Sequence, residues 1–302
     1  MMKNFILLGG AGYIAPKHFK AIKDTKNNLV AFMDLNDSVG IIDSFFPDAD
    51  FLTSQQELDQ FYKDTISQGK TIDYMSICTP NYLHYDQIKW GLERNINVIC
   101  EKPLVLRTKE LESLKKIEIN SSAKVYSILQ LRLHQSIVDL KKKLSKLDKE
   151  SFINVKLTYI TSRGKWYRKS WKNNPTLSGG VAFNIGVHFF DMLGFIFGPS
   201  SENKVISCDI DTIAGMLEFK NAAVNWFLSI DPNQLPNNTT QRTYRSIEIN
   251  DKELEFSDGF TELHTESYKK VLRGNGYGID DCFFAIQTVE EINKQINTRH
   301  ES

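Results

Sequence analysis

One short stretch, Phe5-Ile-Leu-Leu-Gly-Gly-Ala-Gly-Tyr-Ile-Ala15, constrains this chain more than any other. Lys3 to Leu8 is an apolar run of strand length, and an amphipathic run begins at Ala15 and continues through Ile22. The turn between them has the pattern Gly10-x-Gly12-x-x-Ala15, the alanine-ended form of a dinucleotide-binding turn. Gly10 supports a bend that a side chain would block, Gly12 lets a pyrophosphate approach the backbone, and Ala15 lets helix and strand pack closely. The N-terminus of the helix, opened by Tyr13 and Ile14, offers free N–H groups and a partial positive charge to the phosphates. Pro16 falls in the first helical turn, where its missing N–H costs little.

A tight strand–turn–helix without a ligand satisfies the same pattern, so the next segment matters. Leu29 to Met33 is a second apolar strand ending on Asp34, roughly twenty residues past the first glycine. That carboxylate suits both hydroxyls of an adenosine ribose. Leu35 follows where an arginine would greet a 2′-phosphate, so NAD is expected over NADP.

The 302 residues suffice for two domains or one large one. Acidic and basic residues balance at 37 each, which argues against non-specific binding to nucleic acid or an anionic membrane. No apolar run is read as approaching the roughly twenty residues of a membrane span, and the N-terminus shows no signal pattern. Cys78, Cys100, Cys208 and Cys282 are scattered, which suits reduced thiols in a cytoplasm better than a disulfide or zinc framework. No metal is expected.

Further strands are predicted at 49–52, 71–78, 96–100 and 125–131. Helices between them are predicted from Asp37 to Phe45, after a Ser54 cap to Ser67, from Asn81 to Arg94, and from Thr108. Strands alternating with helices predict a parallel sheet covered on both faces, with ligands at the carboxyl ends of the strands. Gly10, Asp34, Thr79 and Lys102 all fall at such ends. The rhythm changes near residue 133. A basic helix (136–147), a strand (152–161), a polar and aromatic loop (164–178) and an apolar helix (181–197) follow. Strands at 203–208, 212–219, 222–229, 243–249 and 252–256 and helices at 261–273 and 281–297 complete the chain. The expected fold is α/β, with a Rossmann dinucleotide-binding domain over 1–132. An α+β domain with a mainly antiparallel open sheet follows over 133–302, its last helix a candidate to pack back on the first. Pro232 to Thr240 is the expected mobile loop.

Four segments in order, Gly10 to Ala15, Thr79-Pro-Asn-Tyr-Leu-His84, Glu101-Lys-Pro103 and Gly179-Gly-Val-Ala-Phe-Asn-Ile-Gly-Val-His188, resemble the glucose–fructose oxidoreductase/inositol dehydrogenase (Gfo/Idh/MocA) family over nearly the whole chain. Gly12-Tyr-Ile-Ala-Pro16, Asp37-Ser-Val-Gly-Ile-Ile-Asp-Ser44, Phe183 to Asp191 and Ser162-Arg-Gly-Lys-Trp-Tyr167 resemble more specifically its UDP-N-acetylglucosamine-uronate 3-dehydrogenase branch. The resemblance implies hydride exchange between NAD and C3 of a UDP-sugar made for bacterial surface polysaccharide. It also implies a homo-oligomer, dimer or tetramer, built through the C-terminal sheet. The alternatives are a family dehydrogenase acting on a free sugar or polyol, and a non-catalytic nucleotide sensor. Many members carry Asp where this chain has Asn184, and an amide cannot relay a proton near neutral pH.

A buried ammonium at Lys102 is expensive without a partner. The family motif places it beside the nicotinamide, where it would stabilise developing alkoxide charge. The bland alternative is a salt bridge to Glu101. His188 lies on an apolar helix. Its type suits hydroxyl deprotonation, and Asp191 on the same face is expected to orient it. Catalysis is therefore assigned to Lys102 and His188. Gly10, Gly12, Tyr13, Ile14, Asp34, Thr79, Asn81, Glu101 and Lys102 are assigned to the cofactor, with His84 left open. Arg132 is divided between substrate contact and an interdomain salt bridge. The basic–aromatic stretch from Arg163 to Lys172, with Lys165, Tyr167 and Trp171, suits an anionic ligand carrying a base, and Asn184 is expected to hydrogen-bond the substrate. His18 and His134 are read as structural.

Overall fold

Strands that read as unbroken apolar runs must be covered on both faces, and Phe5, Ile6, Leu7 and Leu8 are all buried. The computed structural model describes residues 2–148, 151–237, 241–256 and 258–300. It begins with β1 (Asn4–Leu8), α1 (Ala15–Asp24), β2 (Asn28–Met33), β3 (Asp50–Leu52), α2 (Gln55–Ser67), β4 (Tyr74–Ile77), α3 (His84–Glu93), β5 (Asn97–Cys100), α4 (Thr108–Ile119) and β6 (Val125–Ser127). The six strands form one sheet in the order β3-β2-β1-β4-β5-β6, every pair parallel. This is the doubly wound order, whose direction reverses between β1 and β4. Local chemistry sets the boundaries. The Ser54 Oγ accepts from Glu57 N at 3.2 Å and starts α2. The segment after Asp37 makes only a 3₁₀ turn, Gly40–Ser44, with no side-chain cap. The sixth strand stops at Ser127, short of the predicted 131, because Gln130–Leu133 winds into a 3₁₀ turn.

The chain continues with α5 (Gln135–Leu144), β7 (Ile153–Thr161), α6 (Lys165–Lys169), α7 (Pro175–Ser178), α8 (Val187–Phe197), β8 (Ser200–Cys208), β9 (Thr212–Phe219), β10 (Ala222–Ser229), β11 (Thr243–Ile249), β12 (Lys252–Glu255), α9 (Leu263–Leu272) and α10 (Ile279–His300). The second sheet runs β12-β11-β7-β10-β9-β8 and is antiparallel except where β7 pairs with β10. Helix α8 covers one face of it, with Phe189 against Tyr159 (4.5 Å between ring centroids) and Phe190 edge-on to Trp226 (5.3 Å). On the other face Ala214, Met216, Ala223 and Phe227 remain half-exposed.

The chain divides into two compact units. Unit 1 is 1–105, 109–128 and 261–281, and unit 2 is 106–108, 129–260 and 282–302. The second unit is not continuous from 133 to 302, because α9, the penultimate helix, belongs to the Rossmann unit. Its Tyr268 and Val271 join Phe5, Leu7, Phe19 and Ile22 in one core, with Tyr268 stacked on Phe5 at 5.9 Å. The stretch Pro175–Phe197 is long and apolar enough to span a membrane by composition, contrary to the sequence reading. More than half of it is buried, and Gly179 and Gly180 break it with positive φ. All four cysteines are free. Within the expected mobile loop, Pro232–Gln234 forms a 3₁₀ turn, and 238–240 lie outside the described residues.

Candidate active site

At the reversal point of the first sheet the turn after β1 is pinned from both sides. Gly9 N and Gly10 N both donate to Met33 O, at 2.8 and 3.2 Å. Gly9 holds φ +86°, and a Cβ there would lie 2.7 Å from the backbone of Cys78 and Thr79 beyond β4, so only glycine fits. Gly12 N donates to Gly9 O at 3.1 Å, and its own Cβ would crowd that oxygen at 3.0 Å. Ala11 N donates to Asp34 Oδ2 at 2.8 Å and Asn36 N to Asp34 Oδ1 at 2.9 Å, so the carboxylate at the end of β2 is tied to the turn. The N–H groups of Tyr13 and Ile14, at the mouth of α1, have no acceptor among the described residues. Two unpaired amides at a helix N-terminus, above glycines that leave the backbone bare, fit a dinucleotide pyrophosphate.

The next two strand ends are stitched together by a histidine. His84, fully buried, lies 2.8 Å from Pro103 O through Nδ1 and 2.9 Å from Thr79 O through Nε2. Burial holds its pKa below the ordinary histidine value, so the neutral ring donates to one of the two carbonyls. The Thr79 hydroxyl donates to Gln87 Oε1 at 2.6 Å, and Asn81 is buried beside it in a 3₁₀ turn. Glu101 is buried, its Oε1 accepting from His18 Nε2 (2.9 Å) and His264 Nε2 (2.8 Å) and its Oε2 from Lys102 N (3.3 Å). Lys102 is half-buried. A cavity of about 590 Å³ opens at the amino ends of the strands beside Asn4, Asn28 and Asp50. In a doubly wound sheet the carboxyl ends take the ligand, so that cavity is at the wrong end for the chemistry.

In unit 2 the predicted loop 164–178 is instead a chain of short helices, α6, a 3₁₀ turn Trp171–Asn173, and α7. Pro175 sits at the start of α7, Asn174 Oδ1 caps it from Thr176 N at 3.0 Å, and Gly179 ends it in the left-handed region at φ +79°. Residues Ala182–Gly186 then form a π-helical turn, a feature frequent at functional sites. It carries Asn184, whose Nδ2 donates to Lys172 O (2.8 Å) and Tyr167 OH (3.1 Å). His188, half-buried, lies one turn on. Trp166 and Trp171 flank the Lys172 ammonium at 5.7 Å each, while burial and then the Arg163 charge lower its pKa. Arg163 Nε is buried without a hydrogen-bond partner, at a cavity of about 310 Å³ that Tyr167, Arg168 and Asp211 also line. Arg168 is committed to Asp211 at 2.7 Å, and Lys165 is exposed. Arg132 is buried and holds both oxygens of Asp191, at 2.7 to 3.2 Å.

Residues 4–128 match the oxidoreductase family with an NAD-binding Rossmann fold, and residues 150–249 match its C-terminal α/β domain. The chain belongs to the Gfo/Idh/MocA oxidoreductase family. The WlbA (WbpB) dehydrogenase of Thermus thermophilus, solved with NAD and α-ketoglutarate and with NAD and UDP-GlcNAcA, is 45% identical. The match covers 97% of this chain and 95% of that one at a TM-score of 0.93. The WlbA dehydrogenase of Bordetella pertussis, at 18% identity, 97% and 96% coverage and a TM-score of 0.76, shares the fold. The inositol 2-dehydrogenase of Rhizobium meliloti is 26% identical over 71% of this chain and 62% of its own length. An UDP-kanosamine synthase oxidoreductase subunit of Amycolatopsis mediterranei, itself described as putative, is 27% identical over 47% and 39%. The chain thus spans less than two thirds of these two curated relatives.

Within this family's architecture the structure gathers Gly10, Gly12, Tyr13, Ile14, Asp34, Thr79, Asn81, Glu101 and Lys102 at the carboxyl ends of β1, β2, β4 and β5. In unit 2 it gathers Arg163, Tyr167, Trp171 and Asn184 around the π-helical turn before His188. Arg132 and Asp191 lie in the same unit, so their bridge is not interdomain; Asp191, expected to orient His188, also holds the Arg132 guanidinium. Glu101 Oε1 accepts from two imidazoles. Sequence reasoning missed Gly9, although the doubled glycine was its signal. It also missed His264 and Tyr268, for which no local pattern exists.

Proposed function

We propose that this protein oxidises C3 of UDP-N-acetyl-glucosaminuronate to the 3-keto sugar, with NAD as the hydride acceptor. The observation that carries the reading is the 45% identity, over 97% of the chain, to a protein solved with both NAD and UDP-GlcNAcA. The Tyr13 and Ile14 amides would hold the pyrophosphate and Asp34 the adenosine ribose, with Thr79 and Asn81 along the nicotinamide half. NAD, when bound, supplies the acceptor for the hydride leaving C3. His188 takes the C3 hydroxyl proton as the C=O bond forms, and Lys102 hydrogen-bonds the oxygen while it carries negative charge. Arg163, Lys165, Tyr167, Trp171 and Lys172 bind the anionic and uracil portions of the substrate. Asn184, with its amide nitrogen spent on Tyr167 and Lys172, offers Oδ1 to a sugar hydroxyl. Arg132, paired with Asp191, braces α8. A 2-oxo acid is the oxidant proposed for returning the reduced cofactor to NAD, its carbonyl taking hydride and a proton to become a 2-hydroxy acid. The α-ketoglutarate complex of the T. thermophilus protein supports this. The half-exposed face of the second sheet is the surface proposed for a homo-oligomer, in keeping with a cytoplasmic enzyme.

Purified protein with NAD and UDP-GlcNAcA should form NADH, and Lys102→Ala and His188→Ala should each lower turnover by about a hundredfold while still binding NAD. NADH formation from inositol or a free sugar but not from the UDP-sugar would move the protein to the polyol branch. Cofactor binding without any NADH would make it a sensor.

A further inference from the structure

Five buried polar side chains run in one line to the backbone of Lys102, and the chemistry proposed above uses none of them directly. Ser76 Oγ lies 2.6 Å from Tyr268 OH, which lies 2.7 Å from His18 Nδ1. His18 Nε2 and His264 Nε2 lie 2.9 and 2.8 Å from the same oxygen of Glu101, and the other oxygen accepts from Lys102 N. Ser76, Tyr268 and His18 are wholly buried, and His264 is 2% exposed.

The protons on this line can be assigned. An ionised carboxylate only accepts, so both Nε2 atoms carry hydrogens. His18 Nδ1 therefore accepts from the Tyr268 hydroxyl, whose oxygen accepts in turn from Ser76. His264 Nδ1 is buried without a hydrogen-bond partner among the described residues. Three N–H donors then converge on Glu101. Burial opposes its charge, but the bonds from His18 and His264 outweigh burial and hold its carboxyl well below the usual carboxylate range. The three side chains His18, Glu101 and His264 also have metal-ligand chemistry, with donor atoms within 4.8 Å of one another. Both nitrogens, however, sit at hydrogen-bond distance from one shared oxygen, which is the geometry of protons on an acceptor rather than of ligands around a separate centre.

We propose that His18 and His264 are positioning residues: by fixing Glu101 they fix the backbone from which the Lys102 side chain starts beyond the end of β5. The inference rests on the reading that Lys102 serves the reaction. It also gives the return of α9 to unit 1 a purpose, because His264 and Tyr268 both lie on that helix. A shift of the lysine by a fraction of an ångström costs rate rather than affinity, since the charge needs its place chiefly in the transition state.

The test compares His264→Leu, which removes the donor, with His264→Gln, which keeps an N–H at similar reach. His264→Leu should lower kcat about tenfold with KM for UDP-GlcNAcA and Kd for NAD within about twofold, and His264→Gln should recover most of the rate. In a Lys102→Ala background His264→Leu should cost nothing further, because the group it positions is gone. Should the leucine variant not fold, Tyr268→Phe deletes a single oxygen from the same line and should lower kcat severalfold. Unchanged kcat in the folded variant, an equal loss with and without Lys102, or stoichiometric zinc that disappears with His264 would each overturn the proposal. Failure of the catalytic reading itself looks different: Lys102→Ala alone would then turn over normally.

Discussion

Asp34→Ala is the substitution whose effect the structure sizes most directly. The carboxylate has about four lone-pair sites, and the turn uses two of them, through Ala11 N and Asn36 N. The remaining two match the two hydroxyls of a ribose. Charge-assisted hydrogen bonds contribute about 1.5–3 kcal/mol each, so losing both should weaken NAD by about 3–6 kcal/mol, a hundredfold or more in Kd. NADP responds differently. Its 2′-phosphate would sit about 4 Å from this carboxylate, where two like charges repel by about 1–4 kcal/mol at effective dielectric constants between water and the protein surface. Removing Asp34 relieves that repulsion, so NADP affinity should hold steady or rise while NAD affinity collapses. Titration of both cofactors by calorimetry or fluorescence, on wild type and variant, reads the two effects separately. Since Asp34 also anchors the turn, Asp34→Asn, which keeps an acceptor oxygen for Ala11 N, should lose less than the alanine variant. The reasoning fails if NAD binding by Asp34→Ala stays within about threefold of wild type, or if the wild type binds NADP as tightly as NAD.

Breaking the buried Arg132–Asp191 pair should be severe: Arg132→Leu strands a carboxylate that is almost wholly buried, at a cost of about 3–5 kcal/mol. Adding Asp191→Leu should recover a large part of it, and urea unfolding of the single and double variants checks the order. Acid should weaken the fold in two stages. The folded pKa of His18 is lowered from 6.5 by burial, and that of Glu101 lies well below 4.5 because hydrogen bonds from two histidines outweigh its burial. A depressed folded pKa means that the unfolded chain binds the proton first, so stability is full above the unfolded value and is lost as pH falls through the window beneath it. Thermal midpoints should therefore hold above about pH 6.5, decline below it through His18, and fall further below about pH 4.5 through Glu101; a flat midpoint across the first window contradicts the assignment.

The nucleotide unit was legible because its signals are local. Ser54 caps α2 as its position suggests, the β1 turn carries its glycines in order, and strand ends at Asp34, Thr79 and Lys102 need only an apolar run followed by a polar residue. What escaped is non-local or short. Nothing near His264 or Tyr268 announces that their helix returns to the first sheet, since His18 and Glu101 lie 246 and 163 residues before His264. The stretch 164–178 lacks periodicity because α6 and α7 span five and four residues, too few to show a helical face. The π-helical turn at Ala182–Gly186 left no mark in composition, although it lies between the positive-φ pair Gly179-Gly180 and His188. Arg132 was poised between two roles in the sequence because its partner, Asp191, was visible only as a neighbour of His188.

The central claim is that a hydride leaves C3 of the sugar. UDP-N-acetyl-glucosaminuronate carrying deuterium at C3 tests it in one measurement, by mass analysis of the nicotinamide cofactor after a single turnover. The account predicts deuterated reduced cofactor, and a slower hydride step with the labelled sugar. Unlabelled reduced cofactor from the C3-deuterated substrate, with the label kept in the sugar, would contradict it.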